Sequence, residues 1–495
     1  MLEISEDDIL DRMRVDNPWW STGQVLTVSD YKKRAYYESF AEEAMQTAFR
    51  RAVVLMGPRR VGKTVMIHQL IADLIENGMP PEDILYISMD TPVYNRLSPE
   101  QAMKIYLKNL IGERKANPVI YFDEIQYVKD WEVHLKSLVD GYPSIRFVVS
   151  GSAAAALKMK SAESGAGRFT DFLLPPLTFS EYLNLKGLED EVITVVGHDE
   201  YSNAEIYGAQ DIQVLNKRFV DYINFGGYPE IALSNEGAES LAKRLGADVI
   251  EKVLLRDLPS LYGIGDVTEL HALFTTLAYN TGQEVTLDEL SQSANISKNT
   301  LKRYLEYLES AFLIKRVERI DQNAKRFKRA MSFKIYLTSP SMRAALFGPV
   351  DEADNAMGGL VETAIFSQWF HSSHIDQLRY ARWDKSKDGE VDIVYLDRHL
   401  PKPIWCLEVK WSDRYYDAPN KLKSLAYFIS KNPQLIDVAG ATTKTKRGMR
   451  RVMGEVVEFT PSAEYCYTVG KNVLKHKKAV SSDENSDEQP DLFHP

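Results

Sequence analysis

The chain has 495 residues, which is too long for a single hydrophobic core, so we expect two to four domains. Hydrophobic residues make up 44% and charged residues 26%, a composition that indicates a globular, soluble protein. The formal net charge of −10 argues against a generally basic protein that binds anions without selectivity. It leaves room for DNA binding, because one face of an acidic protein can be locally basic.

Cysteine content and hydropathy exclude two further classes of protein. The two cysteines, Cys406 and Cys466, exclude a disulfide framework and a cysteine-based zinc site. The chain opens with acidic and polar residues, and no apolar run approaches the ~20 residues that a membrane span needs. We therefore expect a cytoplasmic protein with no membrane contact.

Residues 1–50 are expected to be a helical lead-in that packs on the domain that follows it. The aromatic pair Trp19 and Trp20 belongs to this segment. Core packing is the favoured interpretation of the pair, and contact with an adenine ring is the alternative.

The first chemical motif follows a short apolar run that predicts a strand. Residues 57–64 carry the pattern G-x-x-x-x-G-K-[ST] and lead into an apolar-periodic helix over 65–75. The two glycines allow the backbone to turn its N–H groups toward phosphates, and the helix N-terminus adds partial positive charge. The lysine can reach the β- and γ-phosphates, and the threonine can bind Mg²⁺. The pattern predicts an ATP site whose residues are Gly57, Arg59, Arg60, Gly62, Lys63 and Thr64.

Two later strands are predicted to complete this site. The run 119–124 ends in an acidic pair, in which Asp123 is the predicted Mg²⁺ residue and Glu124 the base that polarises the attacking water. The run 145–152 ends in small polar residues at the edge of the sheet where ligands bind in open α/β folds. Ser150 or Ser152 could sense the γ-phosphate there, and a simple turn is the alternative.

Two arginines are further candidates for the ATP site. Arg168 follows a glycine-rich loop and could act as a finger on a neighbouring subunit's ATP, which would require a homo-oligomer. A solvated loop arginine is the alternative. Arg256 ends an amphipathic helix and could complete the nucleotide pocket from a helical lid, and an ion pair is the alternative.

From Val267 onward the pattern is helix, polar turn, helix, turn and helix, followed by a strand-like run over 312–320. Ser297 is the predicted N-cap of the third helix, whose outer side carries Lys298, Asn299, Lys302 and Arg303. A basic stretch follows with Lys325, Arg326, Lys328 and Arg329. The pattern predicts a winged helix that binds DNA, although winged helices also serve as protein contacts.

A separate group of charged residues lies in the last third of the chain. Glu362 is on a predicted helix, Asp392 is on a predicted strand, and Glu408 and Lys410 share one face of the next strand. Two carboxylates and a lysine in one cleft suit phosphodiester cleavage. Asp392 and Glu408 would hold Mg²⁺ with help from Glu362, and Lys410 would orient or deprotonate a water molecule. Exposed charges on an alternating strand, or a fold that keeps the acids without cleaving, are the alternatives.

Several of these motifs together carry a family resemblance. Residues 57–64, 122–124, 150–152, 167–168 and 226–230 resemble the AAA-type ATPases of the archaeal-ATPase clade. The sequences Gly359-Leu-Val-Glu362, Glu390-Val-Asp392 and Glu408-Val-Lys410 are similar to the C-terminal domain of those ATPases, which itself resembles PD-(D/E)xK nucleases. The resemblance implies a role in defence or mobile-element biology. The chain departs from the family near Ser339, where relatives usually have an aspartate.

The end of the chain is polar and charge-blocked, which predicts disorder. Its last residues resemble the short peptide that docks bacterial sliding clamps, with Gln489, Leu492 and Phe493 as the contact residues. A flexible terminus could present two apolar anchors to a pocket on such a partner.

The predicted fold class is α/β: a P-loop NTPase parallel sheet with a helical lid, a winged helix and a C-terminal restriction-endonuclease-like domain. The predicted segments are a lead-in (1–50), an ATPase core (51–180), a helical lid (181–265), a winged helix (266–340), a nuclease-like domain (341–465) and a disordered tail (466–495). The predicted function is an ATPase that couples nucleotide state to DNA binding and to Mg²⁺-dependent cleavage. A non-cleaving ATP-dependent switch is the alternative, and a peptide-remodelling motor is less favoured because no pore-loop pattern is evident.

Overall fold

A computed structural model of the protein describes most of the chain in two compact units, Met1–Pro175 and Pro176–Pro495. The described residues are 5–25, 28, 31–94, 96–152, 167–198, 205–325, 332–383, 389–398, 400, 402–435 and 439–482. Within these ranges, every helix is too short or too polar to cross a lipid bilayer.

The first unit is built on a parallel sheet of five strands in the order β2-β3-β4-β1-β5. Its central strands are almost entirely apolar because helices cover both faces of such a sheet. The strands are β1 (Ala52–Gly57), β2 (Ile84–Ser88), β3 (Val119–Asp123), β4 (Arg146–Ser152) and β5 (Phe169–Leu173). The α-helices are Glu6–Asp16, Trp19–Thr22, Tyr37–Met45, Lys63–Glu76, Pro99–Tyr106 and Trp131–Gly141. The carboxyl ends of β1, β3 and β4 meet at one edge, which carries the phosphate loop.

The N-terminal segment covers the β2 edge of this sheet. The indole N–H groups of Trp19 and Trp20 donate to the carbonyl oxygen of Ile84 over 3.3 and 2.8 Å. The Asn17 side chain donates to the carbonyl of Tyr86 and accepts from its N–H, so it pairs with the strand as another strand would. An exposed edge strand invites pairing with other chains, and this segment protects it. The two tryptophans thus have a packing role.

The second unit is built on a mixed sheet of nine strands in the order β15-β16-β14-β13-β12-β11-β9-β10-β8. A separate hairpin, β6-β7, lies outside it. The strands of the unit are β6 (Ile193–His198), β7 (Glu205–Ala209), β8 (Glu284–Thr286), β9 (Ile314–Ile320), β10 (Ser332–Leu337), β11 (Leu378–Arg382), β12 (Glu390–Leu396), β13 (Pro403–Glu408), β14 (Ala439–Thr443), β15 (Gly448–Val452) and β16 (Glu455–Pro461). The hairpin corrects the expectation that 181–265 is helical throughout, since its exposed Val195 and Val196 were not recognised as strand residues.

The helices of the second unit lie before, between and after the strands of this sheet in the chain. The α-helices are Phe179–Leu185, Glu189–Val192, Ile212–Phe225, Pro229–Ala232, Ala238–Leu245, Leu258–Tyr262, Val267–Tyr279, Leu287–Ala294, Lys298–Ser310, Ser341–Phe347, Met357–Gln368, Arg414–Asp417, Lys423–Lys431 and Ser462–Ser482. Two π-helical stretches, Gly246–Glu251 and Val253–Asp257, connect the helices before Val267.

The last helix contradicts the predicted disorder for part of the tail. Ser462–Ser482 is helical, and its buried side chains include Cys466, Tyr467, Val469 and Val473. This spacing gives one apolar face, which packs against the helix Met357–Gln368. The charged run that suggested disorder begins only at Lys475, beyond the apolar face. Residues 483–495 lie outside the described ranges, and so do the predicted clamp-binding residues Gln489, Leu492 and Phe493.

The boundary predicted at residue 340 also separates strands that belong together. Strand β9 pairs in parallel with β11, through Tyr380 beside Arg319 and Ala381 beside Ile320. The antiparallel strands β8, β10 and β9 therefore continue directly into the sheet formed by β11 to β16. Although β9 and β11 lie between β10 and β12 in this order, the side chain of Lys334 on β10 reaches carboxylates on β12.

The helix Met357–Gln368 is held at its end by Gln368, which is fully buried. Its side-chain oxygen accepts from the N–H of Phe179 at 3.0 Å, and its amide group donates to the hydroxyl of Tyr222 at 3.0 Å and to the carbonyl of Ala364 at 2.8 Å. These bonds tie the helix to two others, Phe179–Leu185 and Ile212–Phe225.

We predict that Gln368→Leu lowers the free energy of unfolding by about 2–4 kcal/mol, because the buried N–H of Phe179 loses its acceptor. Chemical denaturation of the full chain measures this change. Gln292→Leu is the matched control, because Gln292 is exposed on the helix Leu287–Ala294 and should change stability by less than about 0.5 kcal/mol. Equal effects of the two substitutions would contradict the anchoring role of Gln368.

Candidate functional site

The phosphate loop lies between β1 and the helix Lys63–Glu76. Gly62 has φ +97°, a conformation that glycine adopts without strain, and it is the last residue before the helix. Gly57 is closely packed, since a Cβ atom there would lie 2.3 Å from the carbonyl oxygen of Leu174. Lys63 is buried and donates to the carbonyls of Gly57 and Pro58 at 3.0 and 2.9 Å. The loop is therefore folded back around its own lysine.

The Asp123 carboxylate, at the end of β3, accepts hydrogen bonds from three hydroxyl groups. The hydroxyls of Thr64 and Tyr86 donate to Oδ2 at 2.7 and 2.8 Å, and that of Ser150 donates to Oδ1. Asp123 is 2% exposed. Burial, and then the Asp123 carboxylate, raise the pKa of Tyr86 far above its usual value, so this hydroxyl remains a donor. The contacts bring the predicted metal residues Thr64 and Asp123 together.

Glu124 lies next to this carboxylate in a strained conformation. Its φ is +53°, in the left-handed region that non-glycine residues rarely adopt, and such residues cluster at functional sites. Its N–H lies 3.1 Å from Oδ1 of Asp123 and 3.3 Å from Oγ of Ser150. Its side chain accepts from the amide of Gln126, whose oxygen accepts the N–H of Ser152 at 3.0 Å. The sequence prediction did not include Gln126, although its position just after the acidic pair was a possible signal.

A second residue that the prediction missed is Arg34, which is buried beneath the loop. It donates to the carbonyls of Val61 at 3.0 Å and Pro175 at 2.8 Å. The guanidinium thus joins the phosphate loop to the segment after β5. No local pattern around Arg34 indicates this role, because both of its partners are distant in the chain.

The remaining predicted ATP residues occupy varied positions. Arg59 donates to the hydroxyl of Tyr127 at 3.1 Å, and Arg60 is exposed with φ +65°. Arg168 forms an ion pair with Asp140 at 2.7 Å, at the amino end of β5 and so at the sheet edge opposite the phosphate loop. Arg256 is exposed on Val253–Asp257 in the second unit. The roles of Arg168 and Arg256 at a nucleotide stay predictions.

The second unit brings the charged residues of the C-terminal third into one cluster. Lys410 Nζ lies 2.7 Å from Oε1 of Glu408 and 3.5 Å from Oδ2 of Asp392. The N–H of Val409 donates to the same Asp392 oxygen at 2.9 Å. Glu362 lies on the other side of Asp392, on the helix Met357–Gln368. The strands β12 and β13 are antiparallel neighbours, which explains why Asp392 and the Glu408–Lys410 segment meet.

A lysine that the prediction did not include joins this cluster from β10. Lys334 Nζ lies 2.8 Å from Oε1 of Glu362, 2.7 Å from Oε1 of Glu390 and 3.3 Å from Oδ1 of Asp392. The hydroxyl of Tyr336, two residues along the same strand, donates to Glu362 at 2.6 Å. We call Lys334, Glu362, Glu390, Asp392, Glu408 and Lys410 the acidic cluster.

Burial and neighbouring charges shift the pKa values of the carboxyl groups of the acidic cluster in different directions. Burial raises the pKa of Glu362 to about 7 against the opposing effect of Lys334. Burial, and then the Asp392 charge, raise the pKa of Glu408 to about 7. Burial also acts to raise the pKa of Asp392, but Lys410 and Lys334 hold it below its usual value. Asp392 therefore loses its proton at lower pH than Glu362 and Glu408.

The two lysines of the cluster remain charged. Burial alone would lower both pKa values, but Asp392 and Glu408 raise that of Lys410, and Glu362 foremost raises that of Lys334. One carboxylate oxygen is left over, because Oε2 of Glu408 is buried without a hydrogen-bond partner in the described part of the chain. That atom marks where a ligand could bind.

The helix Lys298–Ser310 has the geometry expected from its sequence. The hydroxyl of Ser297 accepts from the N–H of Thr300 at 3.2 Å, so Ser297 is the N-cap. The outward residues are all exposed and are Lys298, Asn299, Lys302 and Arg303. Lys298 forms an ion pair with Asp288. Of the basic stretch that follows β9, Arg326, Lys328 and Arg329 lie outside the described residues.

Comparisons with known proteins bear on parts of the chain. Residues 49–183 match a family model described as an AAA domain, and residues 216–353 match a domain of unknown function, DUF8612. An uncharacterized protein of Haemophilus influenzae is 23% identical over 300 residues, which are 60% of this chain and 69% of that protein. An uncharacterized protein of Methanocaldococcus jannaschii is 24% identical over 392 residues, 75% of this chain and 79% of that protein.

Solved structures give weaker likenesses. The Aeropyrum pernix Orc1 protein in complex with DNA aligns at a TM-score of 0.30 and 13% identity, covering 66% of this chain and 95% of that chain. Cdc6p of Pyrobaculum aerophilum aligns at a TM-score of 0.28 and 14% identity, covering 66% and 96%. TM-scores of this size carry no argument about fold or function.

The match over residues 49–183 contains all five strands of the first sheet, the phosphate loop and the Asp123–Glu124 pair. The predicted AAA-type resemblance is confirmed for this segment, while the resemblance of the C-terminal part to nucleases stays a prediction. The sequence match and the geometry together support an AAA-type ATPase domain with a P-loop NTPase-like core in the first unit.

Proposed function

We propose that this protein hydrolyses ATP in its first unit and couples nucleotide state to DNA binding and Mg²⁺-dependent DNA cleavage in its second. The observation that carries the proposal is the convergence of Glu362, Asp392, Glu408 and Lys410 in the acidic cluster. These residues come from one helix and two adjacent strands, and no ordinary packing requirement brings so many charges to a buried position.

At the ATP site, the chain's own groups perform three tasks. Lys63 exchanges its contacts with the carbonyls of Gly57 and Pro58 for the β- and γ-phosphates of ATP. Thr64 and Asp123 fit a Mg²⁺ ion, because their oxygens already lie within 2.7 Å of each other, and the ion would neutralise phosphate charge. Glu124 polarises the attacking water, and Ser150 keeps Asp123 oriented through its hydroxyl.

At the acidic cluster, Asp392 and Glu408 fit a Mg²⁺ ion, which would stabilise negative charge on a scissile phosphate. The unpaired Oε2 of Glu408 is the observation that favours the fit. No group of three or more histidine, cysteine or acidic side chains in the described ranges has metal-binding geometry. Two carboxylates suffice for Mg²⁺, which usually keeps several waters and binds substrate phosphates. Lys410 orients the water that attacks the phosphate.

Two exposed basic surfaces support DNA as the substrate. The first is the outward side of Lys298–Ser310, beside the antiparallel strands β8, β10 and β9, an arrangement that favours a winged helix. The second is the segment 444–451 after the end of β14, where Arg450 and Arg451 are exposed while Lys444, Lys446 and Arg447 are partly exposed and form ion pairs. Asp413 accepts the N–H groups of Lys444 and Thr445 at 3.0 and 2.8 Å, which holds this segment beside the end of β13 and hence near Lys410.

A rival function is a switch that binds DNA or a protein without cutting. Its supporting observation is the compensation of three carboxylates by the Lys334 ammonium group, which gives the cluster a purely structural stabilisation. Both functions include ATP hydrolysis, so cleavage assays separate them.

We expect Glu124→Gln to retain ATP binding and to lower the rate of ATP hydrolysis by about 100-fold or more, because the amide cannot polarise the attacking water. Phosphate release measures hydrolysis, and a fluorescent ATP analogue measures binding. Glu113→Gln, the same change at an exposed site in the same unit, is the control and should leave both unchanged. Hydrolysis at the wild-type rate by Glu124→Gln would exclude Glu124 as the base.

For cleavage, the purified protein is incubated with plasmid and single-stranded DNA in Mg²⁺ or Mn²⁺, with and without ATP. We expect Glu408→Ala and Lys410→Ala each to lower cleavage by about 100-fold or more, since one removes a metal ligand and the other the residue that orients water. Lys315→Ala is the control, because Lys315 pairs with Asp376 outside the acidic cluster. Cleavage by both cluster variants at the wild-type rate would assign the activity elsewhere, and the absence of cleavage by the wild type would favour the switch.

A further inference from the structure

We propose that the ammonium group of Lys334 takes the place of one divalent cation in the acidic cluster, so that the cluster binds a single Mg²⁺ ion rather than two. The proposal rests on the metal site of the proposed function, which is formed by Asp392 and Glu408. It assigns a positioning role to Lys334, which does not belong to the sequence motifs of that site.

The contacts of Lys334 are those of a small cation in a carboxylate cage. Its Nζ lies within 3.3 Å of oxygens from Glu362, Glu390 and Asp392, and its side chain is 2% exposed. The face of the Tyr380 ring lies 5.5 Å from the same nitrogen and adds a weaker attraction. A lysine ammonium is a compact point charge with three donors, and here it donates to Glu362 and Asp392 and forms an ion pair with Glu390.

The oxygens of Asp392 divide the cluster into two halves. Oδ1 faces Lys334, whereas Oδ2 faces the N–H of Val409 and, at 3.5 Å, Lys410. On the Lys334 half, Glu362 Oε1 already accepts from Lys334 and from the Tyr336 hydroxyl. On the Lys410 half, Oε2 of Glu408 has no partner among the described residues. The buried oxygen that is open to an ion is therefore on the Lys410 half.

Electrostatics keeps the two halves distinct. A divalent ion between Glu362 and Asp392 would share Glu362 Oε1 and Asp392 Oδ1 with the buried Lys334 ammonium, and like charges at such distances repel strongly away from water. Lys410 instead contacts Oε1 of Glu408 and leaves Oε2 to an ion. Glu390 contacts Lys334 as a third carboxylate at 2.7 Å, so movement of the ammonium group away from the cluster would leave these buried acids uncompensated. The Lys334 half thus contributes a fixed positive charge that orients Asp392 toward the metal.

The test counts Mn²⁺ ions bound to the full chain without nucleotide, by electron paramagnetic resonance titration of free Mn²⁺. We expect Lys334→Gln to bind one more Mn²⁺ per chain than the wild type, because the vacated cage keeps its carboxylates. Lys315→Gln is the matched control, with the same change at an ion pair outside the cluster, and should bind the wild-type number. Equal counts for Lys334→Gln and the wild type would overturn the proposal.

Removal of a buried charge can prevent folding, so a second variant carries the same test. Lys334→Gln with Glu390→Gln removes one positive and one negative charge and leaves Glu362 and Asp392 to receive the additional ion. This double variant is also expected to bind one more Mn²⁺ than the wild type, and an equal count would again overturn the proposal. If Glu408→Gln binds as many ions as the wild type, the metal site of the proposed function fails, whereas the comparison at Lys334 is read independently.

Discussion

A buried positive charge, the ammonium group of Lys334, lies on the second strand from one edge of the nine-stranded sheet, and the surrounding structure has to compensate it. An uncompensated ammonium group at the position of Lys334 would cost several kcal/mol or more, so the fold holds only if the helix Met357–Gln368 and strand β12 present their carboxylates there. The bonds of Gln368 that anchor this helix serve the same end. The position of Glu362 is therefore as much a requirement of folding as of chemistry.

The first unit also contains a buried charge that has to be compensated, and this charge is negative. Asp123 is buried at the end of β3, and three hydroxyl groups from three different elements satisfy it. In each unit a single charged group, Asp123 in the first and Lys334 in the second, contacts partners from distant parts of the chain. These contacts fix the geometry of the partners in the absence of a ligand. Such preorganisation is what sites for phosphate chemistry need, because the groups then stabilise charge without reorganising.

Sequence patterns predicted those features of the protein whose residues lie close together in the sequence. The phosphate loop, the Asp123–Glu124 pair and the N-cap Ser297 are local arrangements, and each has the expected geometry. The meeting of Asp392 with Glu408 and Lys410 followed from one hairpin-like pairing of strands.

The roles of Lys334 and Arg34 could not be predicted in this way. Lys334 joins the cluster from β10, which is distant in sequence from Glu362, Glu390 and Asp392, and no local pattern specifies these contacts. Arg34 contacts backbone carbonyl groups, and because every residue has one, the sequence gives no indication of these contacts. The helix Ser462–Ser482 was obscured because a charged run follows its apolar face and dominated the composition of the tail.

The shared sheet restricts how this architecture can have been assembled in evolution. A recombination point at residue 340 would leave β11 without its neighbour β9 and would separate Lys334 from the acids that enclose it. Replacement of residues 266–340 by an unrelated module would preserve the sheet and the cluster only under two conditions. The new module would have to supply a strand that pairs with β11 in the same register, and a buried cation in place of Lys334. The helix-and-strand module and the acidic cluster are therefore expected to descend as one inherited unit, however freely the ATPase part is exchanged.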